Sequence, residues 1–194
     1  MKIAKIVSSN SHIDYVARVL DARDEGAPPR AADHSFGQFV SVAGEDEKVI
    51  GVIYDSRLVN PEYGSFGPKL APRAAHVNPD FVREQGVLLG ILLLGVISSD
   101  GRSVQGVPPR IVPPGQDVIK IDADVVKKFH TGSDGSIHLH YYSQVVANAG
   151  QFAIPLLDSI IKQLSETCTE PEVQRLEVLR QSLTWQGTFG GIKL

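Results

Sequence analysis

Apolar and polar positions alternate in short runs over the first 120 residues, separated by Gly, Pro and Asp. Residues 2–7 form a short β-rich run. Residues 15–20 form another, with Tyr15, Ala17 and Val19 falling on one face of a strand of period two. Residues 36–42 (FGQFVSV) and 48–54 (KVIGVIY) flank a short acidic turn containing Gly44, which predicts a hairpin. The most apolar stretch, residues 86–97 (GVLLGILLLGVI), predicts one long strand or two broken ones. Gly90 and Gly95 weaken a helix there and mark bulges or close backbone approach in a sheet. Residues 60–79, with Pro61, Pro68, Pro72 and Pro79, and residues 106–115, with two proline pairs, read as irregular connectors, because proline cannot donate to a sheet ladder. Many short strands at near-regular spacing predict a small barrel or sandwich.

After Asp117 the pattern changes. Residues 122–129 (DADVVKKF) predict a short helix capped by Asp122 or Asp124, with lysines in its last turn. Residues 136–142 (SIHLHYY) alternate and predict a further strand after a Gly-rich turn. From Gln151 the period becomes helical: Ile154, Leu157, Ile160, Ile161 and Leu164 form an amphipathic stripe, and Pro155 fits an early helical position. Pro171 and Glu172 open a second helix with Val173, Leu176, Leu179 and Leu183 on one face, and the Gly-rich tail from Gln186 reads as irregular. The expected fold is mainly β with an α appendage: a small antiparallel β-barrel over residues 1–140, then a C-terminal helical hairpin over 141–194.

Composition narrows the function more by exclusion than by assignment. The chain has 194 residues, 42% hydrophobic and 21% charged, which suits a folded core. Lys plus Arg is 19 against 22 Asp plus Glu. Residues 1–115 hold 12 basic and 13 acidic side chains and residues 116–194 hold 7 and 9, so neither half is a basic nucleic-acid footprint. The single Cys168 excludes an internal disulfide and any all-cysteine metal site, and fits a reducing interior. The N-terminal run does not read as a signal peptide. The 12-residue apolar stretch falls short of the roughly 20 residues of a spanning helix, so the expected location is cytoplasmic, without membrane contact.

Several of these segments, in their order, resemble the HAS barrel, the small β-barrel shared by HerA-type DNA translocases and ATP synthase catalytic subunits. They are an opening strand ending in Ser-Ser-Asn-Ser, then residues 15–19 (YVARV), then residues 36–42, similar to a "G-x-[YF]-V-x-V" strand. Residues 49–53 (VIGVI) and 88–92 (LLGIL) follow, and residues 108–118 (PPRIVPPGQDV) are similar to a "P-P-G-x-x-V" closing segment before a short helix. The resemblance covers residues 1 to about 140. It implies a ring-forming, partner-docking barrel. HerA-type chains continue into a G-x-x-x-x-G-K-[ST] loop, whose backbone amides and lysine cradle phosphates. No Gly-Lys dipeptide occurs here, so the translocase activity does not carry over.

The chemistry-bearing residues are few. His138 and His140, at i and i+2 of the expected strand, share a face and are the metal-ligand candidates, with His130 or Asp134 as a third ligand. No G-x-S-x-G elbow occurs, and Gly64-Ser65-Phe66-Gly67 sits in the Pro-rich stretch. Glu170 close to Cys168 disfavours a reactive thiolate. Gly190-Gly191 has no following helix to present amides to a phosphate. Arg18, Arg57, Arg73, Arg83, Arg102 and Arg110 are candidates for a basic patch on the barrel. The expected function is a non-catalytic assembly or adaptor module without a cofactor, homo-oligomeric, and working with a separate ATPase or nuclease in DNA processing. Leu157, Ile161, Leu176 and Leu179 are the candidate oligomer interface, should the barrel leave the helical stripes uncovered. The alternatives are a small metalloenzyme with a His-x-His site and an OB-like nucleic-acid-binding barrel.

Overall fold

The computed structural model describes residues 1–21, 24, 28–44, 47–59 and 86–189, with the backbone alone over 182–189. Seven strands form in chain order: β1 Lys2–Ser9, β2 Asp14–Val19, β3 Phe39–Ala43, β4 Glu47–Val59, β5 Gly86–Ser98, β6 Ser103–Gln105 and β7 Asp117–Lys120. Four helices follow: α1 Ala123–His130, α2 Tyr142–Asn148, α3 Ala153–Ser165 and α4 Glu170–Phe189. Every strand pair is antiparallel. The order β2-β1-β7-β3-β4-β5 closes on itself through a β2–β5 pairing, and β6 adds to β5 outside the ring. The chain is thus mainly β, a closed six-stranded barrel with one extra strand, followed by helices.

The strands differ in burial because different structure lies on their outer faces. In β2 alternate residues Tyr15, Ala17 and Val19 are buried, as a strand with one wet face requires. In β3 the run from Phe39 to Val42 is buried without a break, as is the stretch of β4 from Val49 to Ile53. In β5 the residues 91–97 are likewise continuously buried. These strands are covered from outside by helices. Gln144 of α2 donates to the Leu93 carbonyl (2.5 Å) and Gln163 of α3 donates to the Gly37 carbonyl (2.8 Å). This double coverage explains why residues 86–97 read as one apolar run. The run is a single strand kinked by two irregularities, one where Leu94 is extra beside Gly95 and one where Tyr54 of β4 is extra opposite Gly90. One cluster of buried side chains runs from Ile3 to Leu176, through barrel and helices alike.

The expected hairpin forms, with Val42 opposite Val49. Residues 106–115 form no strand, in keeping with their prolines. Asp122 occupies the N-cap position of α1, but its side chain makes no capping bond. Three expectations are corrected. Residues 136–142 are not a strand: Ile137 makes a lone bridge to Thr131, and Tyr142 already begins α2. The Gln105 side chain, at the end of β6, takes up the backbone groups of this stretch in place of a paired strand. The helix α2 was not foreseen, because the alternation of 136–142 masks its start. The tail is helical to Phe189, well past Gln186. The Pro-rich stretch 60–79, the Gly64–Gly67 sequence, Arg73, Arg83, the Leu183 side chain and Gly190-Gly191 lie outside the described residues.

Candidate functional site

The loop after α1 carries the two candidate metal ligands. His138 and His140 lie side by side with ring centroids 4.9 Å apart, so the pairing expected of a strand arises in a loop instead. His138 Nε2 sits 3.1 Å from Asp134 Oδ1. The Ser136 amide, and then His138, hold the Asp134 carboxyl down at about 2. His130, the proposed third ligand, is elsewhere: it is fully buried and faces the core. Among the described residues no group of three His, Cys, Asp or Glu side chains could hold a metal ion.

Gln105 fixes this loop. Its amide nitrogen donates to the carbonyls of Phe129 (3.2 Å) and His138 (2.9 Å), and its amide oxygen accepts from the His140 amide (2.7 Å). One side chain thereby stands in for a paired strand. Gln105→Ala is expected to cost about 1–3 kcal/mol, since it leaves partly buried backbone groups unpaired. Hydrogen exchange should show the His140 amide exchanging faster while β1–β5 keep their protection.

Below the loop lies a polar group in the core. His130 Nδ1 lies 2.7 Å from the Val126 carbonyl, which can only accept, so Nδ1 carries the proton. Nε2 is then an acceptor, and the Tyr141 hydroxyl donates to it over 2.6 Å. Phe39 and Phe129 meet the imidazole edge-on. Burial pushes His130 down to about 4 and the Tyr141 hydroxyl well above its ordinary value. The sequence placed His130 near the metal candidates and did not show this pair; its signal was the position of His130 beside Phe129 and one turn after Val126, on the apolar face of α1.

The candidate interface residues divide. Leu157, Ile161 and Leu176 are 0, 2 and 3% exposed, packed into the chain's own core, and are therefore not available to a second copy. The α3 stripe is covered within the chain: α3 packs between α2 and α4 and beside the turn that leads into β3, where Gln163 reaches the Gly37 carbonyl. Leu179 is 42% exposed. Three of the arginines expected to form a basic patch are each paired with acidic neighbours: Arg18 with Asp21 and Asp24, Arg57 with Asp55, and Arg102 with Asp100. Burial, and then the Glu172 charge, push the Cys168 thiol up, so a thiolate is disfavoured there. Two surface clefts, of about 370 and 480 Å³, flank the turn after β3 and share Ala43, Gly44 and Glu47.

Over residues 1–193 the sequence matches a family described as a domain of unknown function, DUF8166. The chain belongs to the DUF8166 family. No curated protein matches it. This DUF8166 chain combines a closed barrel with one continuous buried core, and none of its described helices is long and apolar enough to cross a membrane.

Proposed function

We propose that this chain is a non-catalytic, HAS-barrel-like assembly module, homo-oligomeric, acting with a separately encoded ATPase or nuclease in DNA processing in the cytoplasm. The observation that supports it most is the way the segments resembling the HAS barrel fall in the fold. Of the segment 36–42, residues 39–42 lie in β3; residues 49–53 and 88–92 lie in the adjacent strands β4 and β5, and the segment 108–118 leads into β7, which closes the barrel between β1 and β3. The sequence lacks a Gly-Lys dipeptide and with it the phosphate-cradling loop. A module without its own motor acts by holding copies and partners together.

Light scattering on the full chain is expected to give a mass above that of one copy, and the purified chain is expected not to hydrolyse ATP. A monomer at all concentrations would remove the assembly reading, and ATP turnover by the chain alone would remove the non-catalytic one. The metalloenzyme alternative draws on the adjacent rings of His138 and His140; a stoichiometric metal lost in His138→Ala would favour it. The nucleic-acid alternative requires salt-dependent binding to DNA, and the pairing of Arg18, Arg57 and Arg102 with carboxylates weighs against it.

A further inference from the structure

The barrel is closed, yet one of its strands outruns its neighbour. β3 pairs with β4 only as far as Phe39 opposite Val52, and the next contacts on that side are the Ile53 amide to the Gln38 carbonyl (3.0 Å) and the Gly37 amide to the Ile53 carbonyl (2.8 Å). β4 continues for six more residues to Val59, paired on its other side with β5 through Val59 opposite Gly86. Among the described residues, no strand pairs with this edge beyond Ile53. Ser56, Arg57 and Leu58 are exposed, Leu58 at 85%. A strand edge of this kind is a template for another strand, and natural sheets normally cover or blunt it.

The sequence of the edge says which strand fits. Asp55 and Arg57 are two residues apart and pair with each other in the single chain at 3.1 Å. Two copies of β4 laid antiparallel about a two-fold axis put residue i opposite residue j with a constant sum. Centred on Ser56, that pairing sets Asp55 opposite the partner's Arg57, and Arg57 opposite the partner's Asp55. Opposite charges across an antiparallel pair stabilise it, whereas like charges directly opposite destabilise it. Centred on Arg57, the same pairing would set two guanidinium groups against each other. Centred on Leu58, it would set Arg57 opposite the partner's Val59 and leave Asp55 without a charge to meet. The surface is self-complementary in one register, as a two-fold contact requires.

We infer that the exposed edge of β4 is an interface for a second copy of this chain, paired antiparallel about Ser56. The inference rests on the homo-oligomeric reading above and names its surface, in place of the helical stripes that the chain buries for itself. The edge is short, so the contact is a weak one by itself.

The test is charge reversal with mixing, read by light scattering at about 100 µM, a concentration that populates weak contacts. Arg57→Asp sets Asp against Asp, and Asp55→Arg sets Arg against Arg; each is expected to weaken the association by roughly tenfold or more. Mixing the two variants is expected to restore it, because Arg at 55 of one copy then meets Asp at 57 of the other. Rescue on mixing separates the interface from mere damage to the fold, which mixing does not repair. A second variant needs no charge change: in a Cys168→Ser background, Ser56→Cys is expected to form a disulfide-linked dimer under mild oxidation. Leu58→Cys is not, because the register holds its two copies four residues, roughly 13 Å, apart along the strands. An oligomer of native mass unaffected by either charge reversal would overturn the β4 edge and leave the homo-oligomeric reading standing. A wild-type chain that stays monomeric would overturn both.

Discussion

Gly95→Ala is expected to lower the unfolding free energy by about 2–5 kcal/mol, which for a chain of this length moves the melting temperature down by roughly 10 °C. Gly95 adopts φ of 151°, a conformation that L side chains rarely take, at the point where β5 gains its extra residue and pairs with Gln105 of β6. A methyl group there would fall on the Val104 carbonyl oxygen, and would lie 2.9 Å from Gln105 Cα and 3.1 Å from the Phe129 ring. Two of those atoms are backbone, so the overlap is not relieved by a rotamer change. The penalty combines the strained φ with the displacement of β6, and β6 in turn carries Gln105 and the loop it holds. Gly106 supplies the control. Its φ is 127°, but nothing lies within 4 Å of an added methyl group, so Gly106→Ala should show the backbone strain alone, about 1–3 kcal/mol. Denaturant midpoints for the two variants read the difference directly. Equal midpoints would mean that the close approach of β6 to Gly95 contributes nothing.

The second large effect is expected from acid. His130 is buried and neutral, with a value near 4 against 6.5 for a free imidazole. The unfolded chain therefore binds a proton that the folded chain refuses between those two values, and stability rises with pH across that window. Read downward, stability is full above about pH 6.5, falls as the pH drops toward 4, and loses about 3 kcal/mol to this group in all. Carboxylates held below their ordinary range add their own loss at lower pH: Asp134 through the Ser136 amide, Asp33 through Lys120 and Asp24 through the Asp21 amide. The slope between pH 6.5 and 5 belongs to the imidazole. Urea unfolding at pH 7 and pH 5 should show it in the wild-type chain and not in His130→Leu. Tyr141→Phe removes the proton donor to Nε2 and leaves a buried acceptor unpaired, at a cost of about 1–3 kcal/mol at pH 7. A wild-type stability that is flat from pH 7 to 5 would contradict a buried, neutral His130.

The strands were legible in the sequence wherever their hydrophobic pattern had a single cause. Tyr15, Ala17 and Val19 alternate because one face of β2 is wet, and the acidic turn after Ala43 can only be a reversal. Gly90 and Gly95 pointed to the two irregularities of β5 because glycine inside a strand has few other uses. The failures came where pattern and partner disagreed. Residues 136–142 have the composition of a strand, but strand pairing is a property of the neighbour, and the neighbour there is a glutamine side chain. The stripe of Leu157 and Ile161 was correctly helical, yet a stripe does not say whether its cover comes from the same chain. The pairing of Tyr141 with His130 joins residues 11 apart through a turn, a contact that no periodicity encodes.

The position of β7 has a consequence for the order of events during synthesis. β1 is made first, but the partner that joins it to β3 is residues 117–120, and Lys5 finds Asp117 only after more than half the chain exists. Until then the nascent sheet has two unsealed edges and a long intervening segment, and contacts so distant along the chain are slow to form. Ring closure is consequently a late step, made by four residues that follow a proline-rich connector, and the helices that cover the outer face are translated only after it becomes possible. A chain stalled before Asp117 would present open strand edges to whatever lies near it.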